Sequence, residues 1–131
     1  MNRLLKTILL VSIFVLLIDA TWIAAVMKDQ YSRMIPVIQK ESMVVRLLPT
    51  ALSYLTIILS IVLFTMPYID RTNRLMSSMY YGGILGALMY GMFSFTNYAL
   101  IKNWSLTVVA LDTVWGFILY SVVGYLTSYF M

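Results

Sequence analysis

The sequence predicts an all-α protein, a four-helix transmembrane bundle with an interfacial amphipathic segment between helices 1 and 2. Three observations predict it. The chain has four apolar stretches, residues 4–27, 47–66, 75–101 and 105–130, each meeting the ~20 residues that a helix needs to cross a bilayer core. Its 131 residues are 62% hydrophobic and 11% charged, which leaves too little polar surface for a soluble globule. The connections after the second and third stretches are short, so the helices they join must run antiparallel. A single integral membrane domain over residues 1–131 is the expected organisation.

Helix 1 is expected over Leu4 to Met27. Met1 to Lys6 followed by an apolar run imitates a signal peptide, but the run is longer than a signal core and lacks a small-residue cleavage site, so it reads as a retained span. From Lys28 to Arg46 the chain alternates Lys28, Asp29, Arg33, Lys40, Glu41 and Arg46 with Tyr31, Met34, Ile35, Val37, Ile38, Met43 and Val44. That pattern suits a helix lying in the interface, broken near Pro36. Helix 2 carries a polar stripe of Ser53, Thr56 and Ser60, and Pro67 to Arg74 is a short polar turn. Helix 3 places Gly83, Ala87, Tyr90, Ser94 and Asn97 along one face, small residues first and polar ones after, so that face is expected to point inward. Gly82 and Gly86 form a GxxxG pair, and Gly83, Ala87 and Gly91 repeat the small-xxx-small spacing, a pattern for close helix contact within the chain in preference to a dimer. Helix 4 has Gly116 one turn after Asp112, where a neighbouring backbone can approach.

Composition excludes much chemistry. With no cysteine and no histidine, the chain has no disulfide, no thiolate nucleophile, and neither the commonest neutral-pH base nor the commonest metal ligand. No cofactor and no metal are implied, since the ten methionines are scattered without metal-site spacing and suit adaptable packing. The net charge of +4 does not indicate nucleic acid, because the nine basic residues fall outside the apolar runs or at their ends, where they anchor in lipid headgroups. VVGYL at Val122 to Leu126 sits inside a span and is no potassium filter. Arg3, Lys6, Arg71 and Arg74 on one side face Lys28, Arg33, Lys40, Arg46 and Lys102 on the other, so charge encodes orientation poorly. Four spans put both termini on one side, and Arg3 and Lys6 lean it toward the cytoplasm.

The polar residues inside the spans carry the functional signal. Asp19 and Asp112 lie within apolar runs, each followed three residues later by tryptophan, Trp22 and Trp115. An acid in hydrocarbon costs several kcal/mol unless protonated, paired or watered, which makes it a site by default. Asp19 lies about 12 Å before the end of helix 1 and Asp112 about 10 Å after the start of helix 4, both measured from the same side. Ser53, Tyr54, Tyr90 and Asn97 fall in a comparable layer. Asp19, Trp22, Ser53, Tyr54, Tyr90, Asn97, Asp112 and Trp115 are therefore the candidate ligand and proton site. Two acids sharing a small site do not readily both ionise, so one exchangeable proton is physically reasonable. The plainer alternative is interhelical glue through Asn97 or a backbone carbonyl.

Some of these residues also resemble a known pattern. Asp19, Trp22, Lys28, Asp29 and Tyr31 in DATWIAAVMKDQY, Tyr90, Thr96, Asn97, Ala99, Lys102 and Trp104 in YGMFSFTNYALIKNW, and Asp112, Trp115 and Gly116 in LDTVWG resemble a mainly prokaryotic family of small four-span integral membrane proteins catalogued as a domain of unknown function. In that family an acid often precedes an LTN-like tripeptide; Ser94 stands there in this chain, before Phe95, Thr96 and Asn97. The resemblance implies the four-helix architecture and no reaction. Three functions stay open: proton-linked binding or transport of a small solute or lipid, a structural or accessory subunit of a larger membrane complex, and an intramembrane lipid-modifying enzyme. The expected partners are the lipid bilayer and a homo-oligomer or larger complex.

Overall fold

The computed structural model describes residues 2–41 and 46–131; Met43 and Val44, counted above in the amphipathic segment, lie outside the described residues. The chain forms four helical rods: α1 (Arg3–Gln39), α2 (Leu47–Phe64), α3 (residues 74–100) and α4 (Leu106–Phe130). Among the described residues there is no strand. Helices α1, α2 and α4 are long and apolar enough to cross a membrane. Helix α3 contains Gly82, Gly83, Gly86 and Gly91 together with Ser94 and Asn97, residues that lower its hydropathy and suit it to packing against another helix.

Helix α1 does not end at Met27. An α-helical stretch Arg3–Trp22 passes through a π turn, Ile23–Met27, into a second stretch, Lys28–Gln39. The helix also runs through Pro36 and stops only at Lys40, whose left-handed backbone (φ 60°) brings its N–H to the Pro36 carbonyl at 2.8 Å. The amphipathic segment is thus continuous with helix 1. Its apolar side, Tyr31, Met34, Ile35 and Ile38, packs against Trp104, Val108 and Val109 at the turn joining α3 to α4.

The π turn sets the phase of this extension. Twelve residues separate Asp19 from Tyr31; at ~100° per residue the two side chains would point about 120° apart, and the residue absorbed by a π turn removes about 100° of that difference. Asp19 and Tyr31 therefore face the same side. Deleting Ala25 is expected to turn the π turn into an α turn and keep the detergent melting temperature close to wild type. Inserting one alanine at the same place is expected to swing the Lys28–Gln39 stretch by about 100° and lower it clearly.

Helix α4 is the hub. Half of its apolar window is buried, against 11% for α2, and it packs along both α3 and α1. Val11 and Val15 of α1, Ile61 and Val62 of α2, and Trp115, Leu119, Tyr120 and Val123 of α4 form the main core. Tight contact between α3 and α4 depends on Gly86 and Gly116: a Cβ on either would overlap the other's backbone. A second π turn, Ser78–Gly83, lies in α3, and the Thr65 hydroxyl donates to the Tyr81 carbonyl inside it at 3.1 Å, satisfying a group that the irregular turn leaves available. In the connection before α3, Asp70 accepts from the hydroxyl and the backbone N–H of Thr72, which hold its exposed carboxyl below the usual range. Thr7 of α1 contacts Met131, so the start of α1 and the end of α4 lie at one end of the bundle.

Helix α2 packs more closely on α1 than on the Ile84–Leu100 stretch of α3, and the site lies between α2 and that stretch.

Candidate functional site

A cavity of about 390 Å³ occupies the space between α1, α2, α3 and α4. Asp19, Trp22, Ser53, Tyr90, Asp112 and Trp115 all line it, with Tyr31, Thr56, Met89, Phe93 and Tyr120. Each rod contributes. Ser53, Thr56, Met92 and Phe93 line the cavity yet remain exposed, which places an opening on its α2–α3 side.

The two carboxyls are almost fully enclosed, Asp19 at 5% and Asp112 at 6% exposure, and neither is left bare. Tyr54 donates its hydroxyl to Asp19 Oδ2 at 2.6 Å, and the Trp115 indole N–H donates to Oδ1 at 2.8 Å. Tyr31 donates to Asp112 Oδ2 at 3.1 Å. Such bonds from neutral groups offset part of the cost of burying an acid. Tyr90 lines the cavity together with both carboxyls. No lysine or arginine lines the cavity among the described residues.

The tryptophans form a second layer. Trp22 and Trp115 stack with ring centroids 4.4 Å apart and planes 4° from parallel. Trp115 is fixed by its bond to Asp19, whereas the Trp22 Nε1 is buried without a partner. One substitution should therefore act oppositely on the two rings. Trp22→Phe is expected to be neutral or slightly stabilising, since it keeps a stacked ring and removes an unpaired donor. Trp115→Phe is expected to cost about 1–2 kcal/mol by stripping Asp19 of a donor. Thermal unfolding in detergent distinguishes the two.

Tyr54 does not line the cavity and reaches it only through Asp19. Asn97 is half-buried and not part of the cavity. Trp104 folds back from the α3–α4 turn and donates its N–H to Ser94 at 3.2 Å, so the polar layer ends at Ser94, one turn short of Asn97. Buried at 8% exposure, Trp104 closes that end with Met27 and Val108. Tyr31 was placed by sequence in an interfacial segment and not at the site. The available signal was the stripe Val15, Asp19, Met27 and Met34, which continues past Lys28 once a π turn is allowed for.

The glycines of the candidate packing set divide. Gly82, Gly86 and Gly116 sit against backbone, Gly83 sits against the side chains of Phe117 and Ser121, and Gly91 faces the Thr113 side chain, whose hydroxyl a Cβ would meet closely at 3.3 Å. No group of three or more acids, cysteines or histidines that could hold a metal occurs among the described residues. A second cavity, about 340 Å³, lies at the end holding the chain termini and is lined by Arg3, Arg71, Thr7 and Ser128 over an apolar floor.

No curated protein and no solved structure gives a significant match. Residues 4–129, nearly the whole chain, match the family described as "Predicted membrane protein (DUF2177)", and the chain belongs to that family.

Proposed function

We propose that this chain is a single membrane domain with four spans, residues 4–27, 47–66, 75–101 and 105–130, whose intramembrane cavity binds a small solute and couples that binding to a proton, with transport as its purpose. The observation that carries the reading is that two enclosed carboxyls, Asp19 and Asp112, line one cavity of about 390 Å³. Acids used only as glue need no such space. Helix α3 is counted as the fourth span in this reading because it packs along α4, which is itself long and apolar enough to cross. The termini, with Arg3 and Lys6, take the cytoplasmic side.

In this mechanism one acid exchanges a proton when solute enters. The hydroxyls of Tyr31 and Tyr54 follow the change, since a hydroxyl can donate to a carboxylate or accept from a carboxylic acid. Tyr90 and Ser53 orient the solute, and the Trp22–Trp115 stack closes the inner wall. Toward Leu75 the α3–α4 seam is sealed by Gly82 and Gly86 against the α4 backbone. Passage to the other face therefore uses a movement of α1 and α2 relative to the α3–α4 pair.

The test is a pH jump across neutrality on proteoliposomes mounted on a solid-supported membrane. Wild type is expected to give a transient charge movement that is lost in the Asp19→Asn, Asp112→Asn double variant. Identical traces from both proteins would remove the proton from the account.

A second reading, an accessory subunit of a larger assembly, is favoured by α2, whose apolar window is only 11% buried within the chain. Co-purification with another membrane protein at fixed stoichiometry would bring it forward.

A further inference from the structure

The cavity brings together two features that select ligand charge. Its acids, Asp19 and Asp112, carry up to two negative charges, and none of the nine basic residues lines the cavity among the described residues. Buried charge without a counter-charge is costly, so the site at working pH takes up either protons or an external cation. Its remaining walls include the rings of Trp22, Tyr31, Tyr90 and Phe93, and aromatic faces attract cations through their quadrupoles, most strongly when water is excluded.

A metal ion fits poorly. The Asp19 oxygens are each engaged by a donor from Tyr54 or Trp115, and Asp112 is engaged by Tyr31, whereas calcium or magnesium requires about six oxygen ligands. No three-acid group exists among the described residues. A diffuse organic cation needs no such coordination shell. It can rest against rings with its charge a few ångströms from carboxylates that stay hydrogen-bonded to the protein.

We infer that the ligand of this cavity is a small organic cation, an amine or quaternary ammonium with an apolar body, that competes with protons for the Asp19–Asp112 pair. The inference rests on the cavity being a binding site and names its substrate class. The opening on the α2–α3 side, between exposed Ser53, Thr56, Met92 and Phe93, faces the hydrocarbon in a four-span arrangement and admits an amphiphile. Cation and proton exchange one for one, so charge within the cavity stays balanced.

The experiment is calorimetric titration of the purified protein, in a non-ionic maltoside detergent, with three probes of one shape. These are choline, its neutral carbon isostere 3,3-dimethylbutan-1-ol, and the anion 3,3-dimethylbutanoate. Choline is expected to bind at least about tenfold more tightly than either, with affinity falling as pH is lowered and lost in the Asp19→Asn, Asp112→Asn double variant. Equal binding of choline and its neutral isostere, or tighter binding of the anion, overturns the cation assignment and leaves the solute-binding reading standing. Binding of none of the three overturns both. The comparison of probes on wild type does not depend on the variant folding.

Discussion

Replacing Gly86 by alanine is expected to be the most damaging conservative change in the chain. The added Cβ would lie inside the Gly116 carbonyl and against the Tyr120 ring, and a backbone carbonyl in the middle of α4 cannot turn aside. Helices α3 and α4 must separate along the seam that buries half of α4's apolar window, at a cost of about 3 kcal/mol or more. The reciprocal change, Gly116→Ala, meets the Gly86 backbone and the Tyr90 Cβ and should do the same. Gly91→Ala is the control: its Cβ would sit 3.3 Å from the Thr113 hydroxyl and 3.6 Å from its methyl. That variant is expected within about 1 kcal/mol of wild type, helped by alanine's better helix propensity. Thermal unfolding in one detergent ranks all three. Equal melting temperatures for the Gly86 and Gly91 variants would mean that the α3–α4 seam is looser than described.

The second large effect is expected at Asp19, where the nature of the replacement decides the outcome. Asp19→Leu leaves the Tyr54 hydroxyl and the Trp115 indole N–H facing a side chain that accepts nothing. An unpaired buried donor costs about 1–3 kcal/mol in soluble proteins and less in membranes; Trp115 is buried and Tyr54 half-buried, so about 1–3 kcal/mol in all is expected. Asp19→Asn should cost about 1 kcal/mol or less. The amide oxygen can take the Trp115 N–H, which can only donate, while the Tyr54 hydroxyl turns to accept from the amide nitrogen. Asp112→Leu follows the same logic through Tyr31, more mildly because it strands a single donor whose bond is the longer, at 3.1 Å. If the asparagine and leucine variants at Asp19 melt together, the two hydrogen bonds carry no stability.

The helices were legible because a bilayer imposes a length and a composition, which α1, α2 and α4 meet, and because only a short turn joins α3 to α4. Asp19 with Trp22 and Asp112 with Trp115 stood out for the same reason, each acid being an expensive exception in an apolar run. Their depth followed from helix rise alone, and both line one cavity. The phase of α1 beyond Trp22 was not legible. Regular 3.6-residue periodicity sends Tyr31 to the wrong face, and only the π turn at Ile23–Met27 restores it. Pro36 misled in the same region: it removes one hydrogen bond to the preceding turn, yet the helix continues through it to Gln39. Partner choice was beyond periodicity as well. Asp19 is held by Tyr54 and Trp115, and Asp112 by Tyr31, because packing of α4 against α1 decides which donors reach which carboxyl. Asn97 shares a helix face with Tyr90, yet Trp104 folding back onto Ser94 ends the layer before it.

The same cavity bears on whether the polar layer is a site or a brace. A brace predicts α2 closed onto α3 with no space beside the acids, whereas both acids line a cavity of about 390 Å³, which supports the proposed site.

The measurement that bears most directly on this account is an experimental density map of the protein in a lipid nanodisc with its co-purifying molecules, inspected between Asp19, Tyr90 and Asp112. Ordered water, a solute or a cationic lipid head is expected there, within hydrogen-bonding or ring-contact distance of the carboxyls and Trp22. Side chains of α2 and α3 packed directly against each other, with no space between the acids, would contradict it and leave the polar layer as the bundle's internal brace.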